Sequence, residues 1–186
     1  MKKLILFAIA GIILSACSNS GSKAPASQQE AQKQIVISND MENAYAGVPS
    51  WGFENGVISM KNPAAHSGTF ACMTNDTLEY SYSYRELFKN INNGLPKSVF
   101  ISGWLYSTVP NPNFSIIMDL TEAQKMYDWK SYPLQESIKE PGRWVEFSAS
   151  FYFDKPLKAE QLIRIFAWNQ SKKAVYLDDL KLVFNY

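Results

Sequence analysis

The chain contains a single histidine, His66, followed directly by Ser67 and Gly68. A histidine beside a hydroxyl is the minimum equipment for nucleophilic catalysis. Adjacent side chains project to opposite faces of a strand and diverge in a turn, so the His66 ring does not readily align on the Ser67 hydroxyl. No Gly-x-Ser-x-Gly sequence is present to lift a serine onto a strained elbow. One histidine and one free cysteine, Cys72, also fall short of the three or four nitrogen or sulfur ligands that a zinc site takes. Glycoside hydrolysis needs two carboxyl groups about 5–9.5 Å apart across a cleft. Asp178 and Asp179 are neighbours on opposite sides of the chain, and Asp119, Glu122 and Asp128 are scattered. The expectation is a binding protein, not an enzyme.

The N-terminus reads MKKLILFAIAGIILSAC. Two lysines, an apolar stretch too short to span a bilayer comfortably, and small residues before Cys17 make an export signal. Leu14-Ser15-Ala16-Cys17 resembles the lipobox of bacterial lipoproteins, which implies cleavage before Cys17 and a diacylglycerol thioether on it. The other reading is an ordinary secretory signal with an incidental cysteine. Acylation would hold the chain to a membrane without a spanning helix; the expected location is the outer membrane of a Gram-negative bacterium. Residues 1–16 are thus a signal peptide. Residues 17–33, the lipidated cysteine and a run rich in Ser, Ala, Gln and Lys, form a tether with too little apolar surface to order itself. Residues 34–186 form one domain.

That domain is built of strands. In the segment WVEFSASFYF, Val145, Phe147, Ala149, Phe151 and Phe153 share one face, and Glu146, Ser148 and Ser150 the other. VFISGWLYS is apolar or aromatic on both faces, so this strand is covered on both sides or meets a ligand on one. LEYSYSY places Leu78, Tyr80, Tyr82 and Tyr84 together. Further strands are expected near 35–38, 56–60, 69–74, 114–120, 124–131, 161–168 and 174–184, with a helical turn around 85–91. Asn92-Asn93-Gly94, Pro110-Asn111-Pro112-Asn113 and Pro141-Gly142 break the pattern between them. About ten short antiparallel strands predict an all-β sandwich or jelly roll. Lys plus Arg number 18 against 17 acidic residues, so no strong positive field exists for nucleic acid. Cys72 has no intrachain partner once Cys17 is lipidated and reads as a small buried side chain.

An ordered set of short pieces then carries a family resemblance: Asp40-Met41-Glu42, Trp51, Ala65-His66-Ser67-Gly68, Ser102-Gly103-Trp104, Gly142-Arg143-Trp144 and Val175-Tyr176-Leu177-Asp178-Asp179-Leu180. The chain from Ser38 to Phe184 resembles the galactose-binding-like jelly roll, in particular the carbohydrate-binding modules of bacterial xylanases and cellulases. The resemblance implies that the His-Ser-Gly turn helps hold a structural calcium ion. Its ligands would be Glu42, backbone oxygens of Ser67 and Gly68 or Thr69, and Asp178, a set of oxygens that suits calcium. Met41 stands where the family commonly has Phe, and Thr69 where Lys is frequent; neither change removes a side-chain ligand. The residues themselves add that apolar parity slips at Asp178-Asp179, the mark of a bulge. Consecutive carboxylates there require a cation or basic partner unless they are exposed with no bound ion.

Sugars present apolar C–H faces rimmed by hydroxyls, which proteins meet with aromatic rings edged by amides and carboxylates. The segment MYDWKSY offers Tyr127 and Trp129, expected on one face opposite Asp128 and Lys130, and FAWNQ offers Trp168 beside Asn169. Tyr127, Trp129, Trp168 and Asn169 are the candidate ligand-binding residues for a polysaccharide or glycan. The alternative reading keeps the same jelly roll as a structural or protein-binding scaffold on a surface lipoprotein, with no sugar bound.

Overall fold

The computed structural model describes residues 33–52, 57–61 and 63–186. The signal peptide, Cys17 and the tether up to residue 32 lie outside the described residues. Eleven strands occur among the described residues: β1 (Gln34–Asn39), β2 (Trp51–Gly52), β3 (Val57–Ser59), β4 (Phe70–Thr74), β5 (Ser83–Leu87), β6 (Ser98–Ser107), β7 (Phe114–Glu122), β8 (Lys125–Pro133), β9 (Trp144–Tyr152), β10 (Leu162–Asn169) and β11 (Val175–Asn185). One short helix, α1 (Phe88–Ile91), follows β5.

Two antiparallel sheets divide these strands. The first runs β3-β4-β11-β6-β9, with β1 also paired to β11; the second runs β2-β5-β10-β7-β8. The chain is an antiparallel β-sandwich, as the alternating pattern predicts. Side chains of one parity from each sheet meet in a single core: Val99, Ile101, Leu105, Phe147 and Leu182 from the first face Tyr84, Phe114, Ile116, Met118, Ile163 and Ile165 from the second. Each such side chain contributes about 1.5–3 kcal/mol by leaving water, and one residue of slip in any strand would turn that set outward.

The departures from the expected pattern have local causes. LEYSYSY begins as irregular chain, and β5 starts only at Ser83. Ser81 and Tyr82 are both buried, because the Ser81 hydroxyl accepts the Ala167 N–H (2.8 Å) in place of a ladder carbonyl. This breaks the alternation, leaving Tyr80 53% exposed while Tyr82 and Tyr84 enter the core. β5 then runs on to Leu87, so the expected helical turn shortens to Phe88–Ile91. The two-residue β2 gives no periodic signal in the sequence. The double-sided apolar β6 is partly covered on its outer face, where the His66 ring stacks on Trp104 at 3.8 Å between centroids.

Candidate functional site

Two places assemble chemistry-bearing residues. At the first, the two ends of the domain converge on the turn that carries His66. Glu42 Oε1 accepts the backbone N–H groups of Thr69 and Phe70, both at 2.8 Å. Gly68 has φ +57°, and a Cβ there would sit 2.4 Å from the Glu42 carboxyl carbon, so only glycine admits this approach. From the other end, Asp178 accepts the Ser67 N–H (3.2 Å) and the Asp179 N–H (2.8 Å). The register between β11 and β6 shifts between Asp178 and Lys181, and Asp179 has φ +49°. The bulge read from the sequence is therefore present. It turns Asp179 toward the loop, where one carboxylate serves both candidate catalytic groups: Oδ2 meets His66 Nδ1 at 2.6 Å and Oδ1 accepts the Ser67 hydroxyl at 2.7 Å. His66 and Ser67 thus both address Asp179 and make no nucleophile–base pair with each other. Trp144 closes the cluster, its ring edge-on to His66 and its Nε1 donating to Ala64 O (3.0 Å).

Asp178 is fully buried, and burial pushes its carboxyl up to about 6 against the backbone donors that lower it. No Lys or Arg pairs with it among the described residues. The structure thus brings Glu42, Ser67, Gly68, Thr69 and Asp178 to one turn. Among the described residues no three His, Cys, Asp or Glu side chains form a metal cluster, so an ion at this turn would draw on backbone oxygens as well.

The second place is a groove of about 770 Å³ on the outer face of the second sheet. β10 supplies its floor: Arg164, Phe166 and Trp168 alternate with the buried Ile163, Ile165 and Ala167. Tyr80 stacks over Trp168 (6.2 Å) and meets Phe166 edge-on (5.7 Å), raising one wall with Leu78. Trp129, 44% exposed, and Met126 raise the other wall from β8. Between them Asp119 on β7 lies in register with Arg164 and clamps it through two bonds, Nε to Oδ1 at 2.9 Å and Nη2 to Oδ2 at 2.5 Å. That pairing holds the guanidinium above its ordinary range. The Trp168 ring lines this space, while its indole N–H is buried and has no acceptor among the described residues. Asp119 and Arg164 are the charged residues of the lining; the serines Ser81 and Ser83, the aliphatic side chains and the rings make up the rest.

Two of the four aromatic-site expectations need correction. Tyr127 does not share the Trp129 face, because the β7–β8 register shifts at Leu120/Thr121 and inserts a residue at that point. Tyr127 instead packs at the core edge, its hydroxyl donating to Pro156 O (2.7 Å) and Lys155 lying over its ring. Asn169 is fully buried, its amide donating to Thr74 Oγ1 and Lys173 O, so it ties the β10–β11 connection and does not line the groove. Trp129 and Trp168 do line it. Sequence reasoning missed Tyr80, Phe166 and the Asp119–Arg164 pair. The parity of Arg164, Phe166 and Trp168 in β10 was a usable signal, as was an aspartate inside the apolar run of β7.

No family model matches the sequence, and no curated protein matches it. Among solved structures, the chain is similar to the N-terminal CBM22-1-CBM22-2 tandem domain of Paenibacillus barcinonensis Xyn10C, with TM-score 0.52 and 14% identity over 86% of this chain. It spans 48% of that tandem. The CBM22-1 xylan-binding domain of the same protein aligns with TM-score 0.47 and 14% identity, covering 83% of this chain and 96% of that one. TmCBM61, solved in complex with beta-1,4-galactotriose, aligns with TM-score 0.39 and 13% identity over 82% of this chain and 88% of that one. At 14% identity the likeness to the tandem is one of fold alone.

Proposed function

We propose that this protein is a non-catalytic, lipid-anchored carbohydrate-binding module that holds a polysaccharide or glycan at the surface of the outer membrane. The observation that carries this reading is the groove of the second sheet, with rings on both walls and a fixed Asp119–Arg164 pair on its floor. Rings stack on the C–H faces of sugars, and the Arg164 guanidinium, 42% exposed, keeps N–H groups beyond the two that Asp119 takes with which to donate to hydroxyls. Asp119 is the carboxylate of the lining and is committed to Arg164, so the groove lacks the two opposed carboxyls of a glycosidase. The lipobox-like run ending in Cys17 supports the anchor. The same reading gives the His66 turn a structural calcium ion held by Glu42, Asp178 and backbone oxygens of Ser67, Gly68 or Thr69. Its support is the fully buried Asp178 charge with no basic side chain paired to it among the described residues.

Affinity electrophoresis against a polysaccharide panel, run with the native chain and a Trp129→Ala variant, tests the reading. Retardation by at least one polysaccharide, reduced roughly tenfold or more in the variant, is the expected result, since a stacked ring contributes more than its area alone. Failure to bind any polysaccharide, or equal binding by the variant, would count against it. The protein-binding alternative has one observation in its favour. Val36, Val183 and Phe100 form a register row across β1, β11 and β6 on the outer face of the first sheet, and Val36 and Phe100 are exposed.

A further inference from the structure

Two arginines stand side by side next to the groove. Arg85 on β5 and Arg164 on β10 are direct register partners, and both project from the outer face, since Tyr84, Ile163 and Ile165 beside them fill the core. Like charges directly opposite one another on paired strands, with Cβ atoms about 5 Å apart, repel and destabilise the sheet. One carboxylate answers the two. Asp119 gives both oxygens to Arg164, whereas Arg85 makes no ion pair among the described residues and its side chain is exposed. The row Arg85–Arg164–Asp119–Trp129 crosses four strands. The row holds two positive charges and one negative; Arg85 stands beside the lining, in which every residue other than Asp119 and Arg164 is neutral. A rule of sheet stability is broken at this site, and such breaches concentrate where a ligand is met.

Resting on the glycan-binding reading above, we infer that the ligand is acidic. A sugar carboxylate, as in a uronic acid unit, docks on Arg85 at the groove's rim while another unit of the same chain stacks on Trp129. The planar fork of a guanidinium matches a carboxylate, and Arg85 is the free fork because Asp119 has taken Arg164. Three interstrand spacings separate Arg85 from Trp129, about 14 Å, so the charge contact and the stacking contact fall on different sugar units. The ligand is therefore an oligosaccharide and not a single ring. It lies across the strands, and the charge it brings relieves the arginine pair.

The test compares acidic polysaccharides (polygalacturonate, alginate and glucuronoxylan) with their carboxyl-reduced, neutral counterparts, using affinity electrophoresis and calorimetry at low and high salt. At least one acidic member should bind about ten- to a hundredfold more tightly than its reduced form, the range of a hydrogen-bonded charge contact. The margin should shrink with salt and vanish in Arg85→Gln. The same variant should keep or raise the thermal midpoint, because it removes a like-charge repulsion. Equal binding of acidic and reduced forms, a preference that survives in Arg85→Gln, or a lowered midpoint in that variant would overturn the inference while leaving glycan binding intact. Binding to no member of either set would overturn the glycan reading itself.

Discussion

Replacing Gly68 by alanine should destabilise the domain by about 3 kcal/mol, composed of two separable parts. The backbone there has φ +57°, and an L-residue in that left-handed region costs about 1–2 kcal/mol, less a few tenths returned by the stiffer unfolded chain. The new Cβ would also sit 2.4 Å from Glu42 Cδ and Oε1 and 2.9 Å from Oε2. The carboxylate has to swing away and release the Thr69 and Phe70 N–H groups, both held at 2.8 Å. At this partly exposed position each of those bonds is worth about 1 kcal/mol. Gly142→Ala isolates the first part, because φ is +85° there but nothing lies within 4 Å of the added carbon. Urea denaturation followed by tryptophan fluorescence, in the presence of a chelator, should give losses of about 3 kcal/mol for Gly68→Ala and about 1 kcal/mol for Gly142→Ala. Melting points should fall by about 6–12 °C and 2–4 °C respectively for a domain of this size. Truncating Glu42 to alanine first should reduce the Gly68→Ala loss to the Gly142 level, since the two residues are in contact and their effects do not add. Losses within about 0.5 kcal/mol of each other for the two glycines, a spread typical of unrelated surface changes, would refute the claim that the Glu42 carboxylate occupies that space.

Three other outcomes are expected. Cys72 is fully buried, and burial pushes its thiol up to about 12, with the Tyr82 N–H working in the opposite direction. Native protein should leave Cys72 unlabelled by iodoacetamide in peptide mapping, and urea should expose it; rapid native labelling would contradict the packing. Burial alone would raise the Glu86 carboxyl, but hydrogen bonds from Ser50 Oγ, Asn90 and the Leu87 N–H outweigh it and hold the group below its ordinary range. A depressed carboxyl stabilises the fold above its unfolded value and loses that contribution as pH falls through the folded one. Glu86→Gln should therefore be less stable than the native chain at pH 7 and indistinguishable from it near pH 2, read by denaturation across pH. Finally, calcium in excess over a chelator should raise the melting point of the native chain and leave that of Asp178→Asn unmoved. An unchanged native midpoint would remove the ion from the His66 turn.

How far the sequence carried depends on what each residue's neighbours allow. Alternation placed β9 correctly, because a strand half-covered by a core has no freedom in which parity it buries; Val145, Phe147, Ala149 and Phe151 could face only one way. It failed where one extra residue enters the ladder. Tyr127 and Trp129 have the same parity in the sequence, yet the insertion opposite Leu120/Thr121 separates them, and nothing in the run MYDWKSY announces it. The Ser81 hydroxyl, standing in for a carbonyl toward Ala167, is equally silent in sequence. Asn169 is a different kind of miss. Adjacent strand residues cannot share a face, so assigning Trp168 to the groove already assigned Asn169 to the interior, where its amide is fully bonded. The bulge at Asp178-Asp179 was readable because apolar residues on both sides of it recorded the change of parity.

The two assembled places lie on opposite outer faces of the sandwich, and this has an energetic consequence. The His66 turn packs on Trp104 and Trp144, which project from the first sheet, whereas the groove lies on the outer face of the second. The buried side chains of both sheets lie between them and no residue is shared. Sites without shared partners contribute nearly additively. A variant of the turn such as Gly68→Ala should lower the population of folded protein yet leave the affinity of each folded molecule for a groove ligand unchanged. Arg85→Gln should do the reverse, weakening the ligand while holding or raising stability. A loss of both properties in either variant would mean that the faces are coupled through the core. In that case the turn could no longer be treated as a clasp independent of what the groove binds.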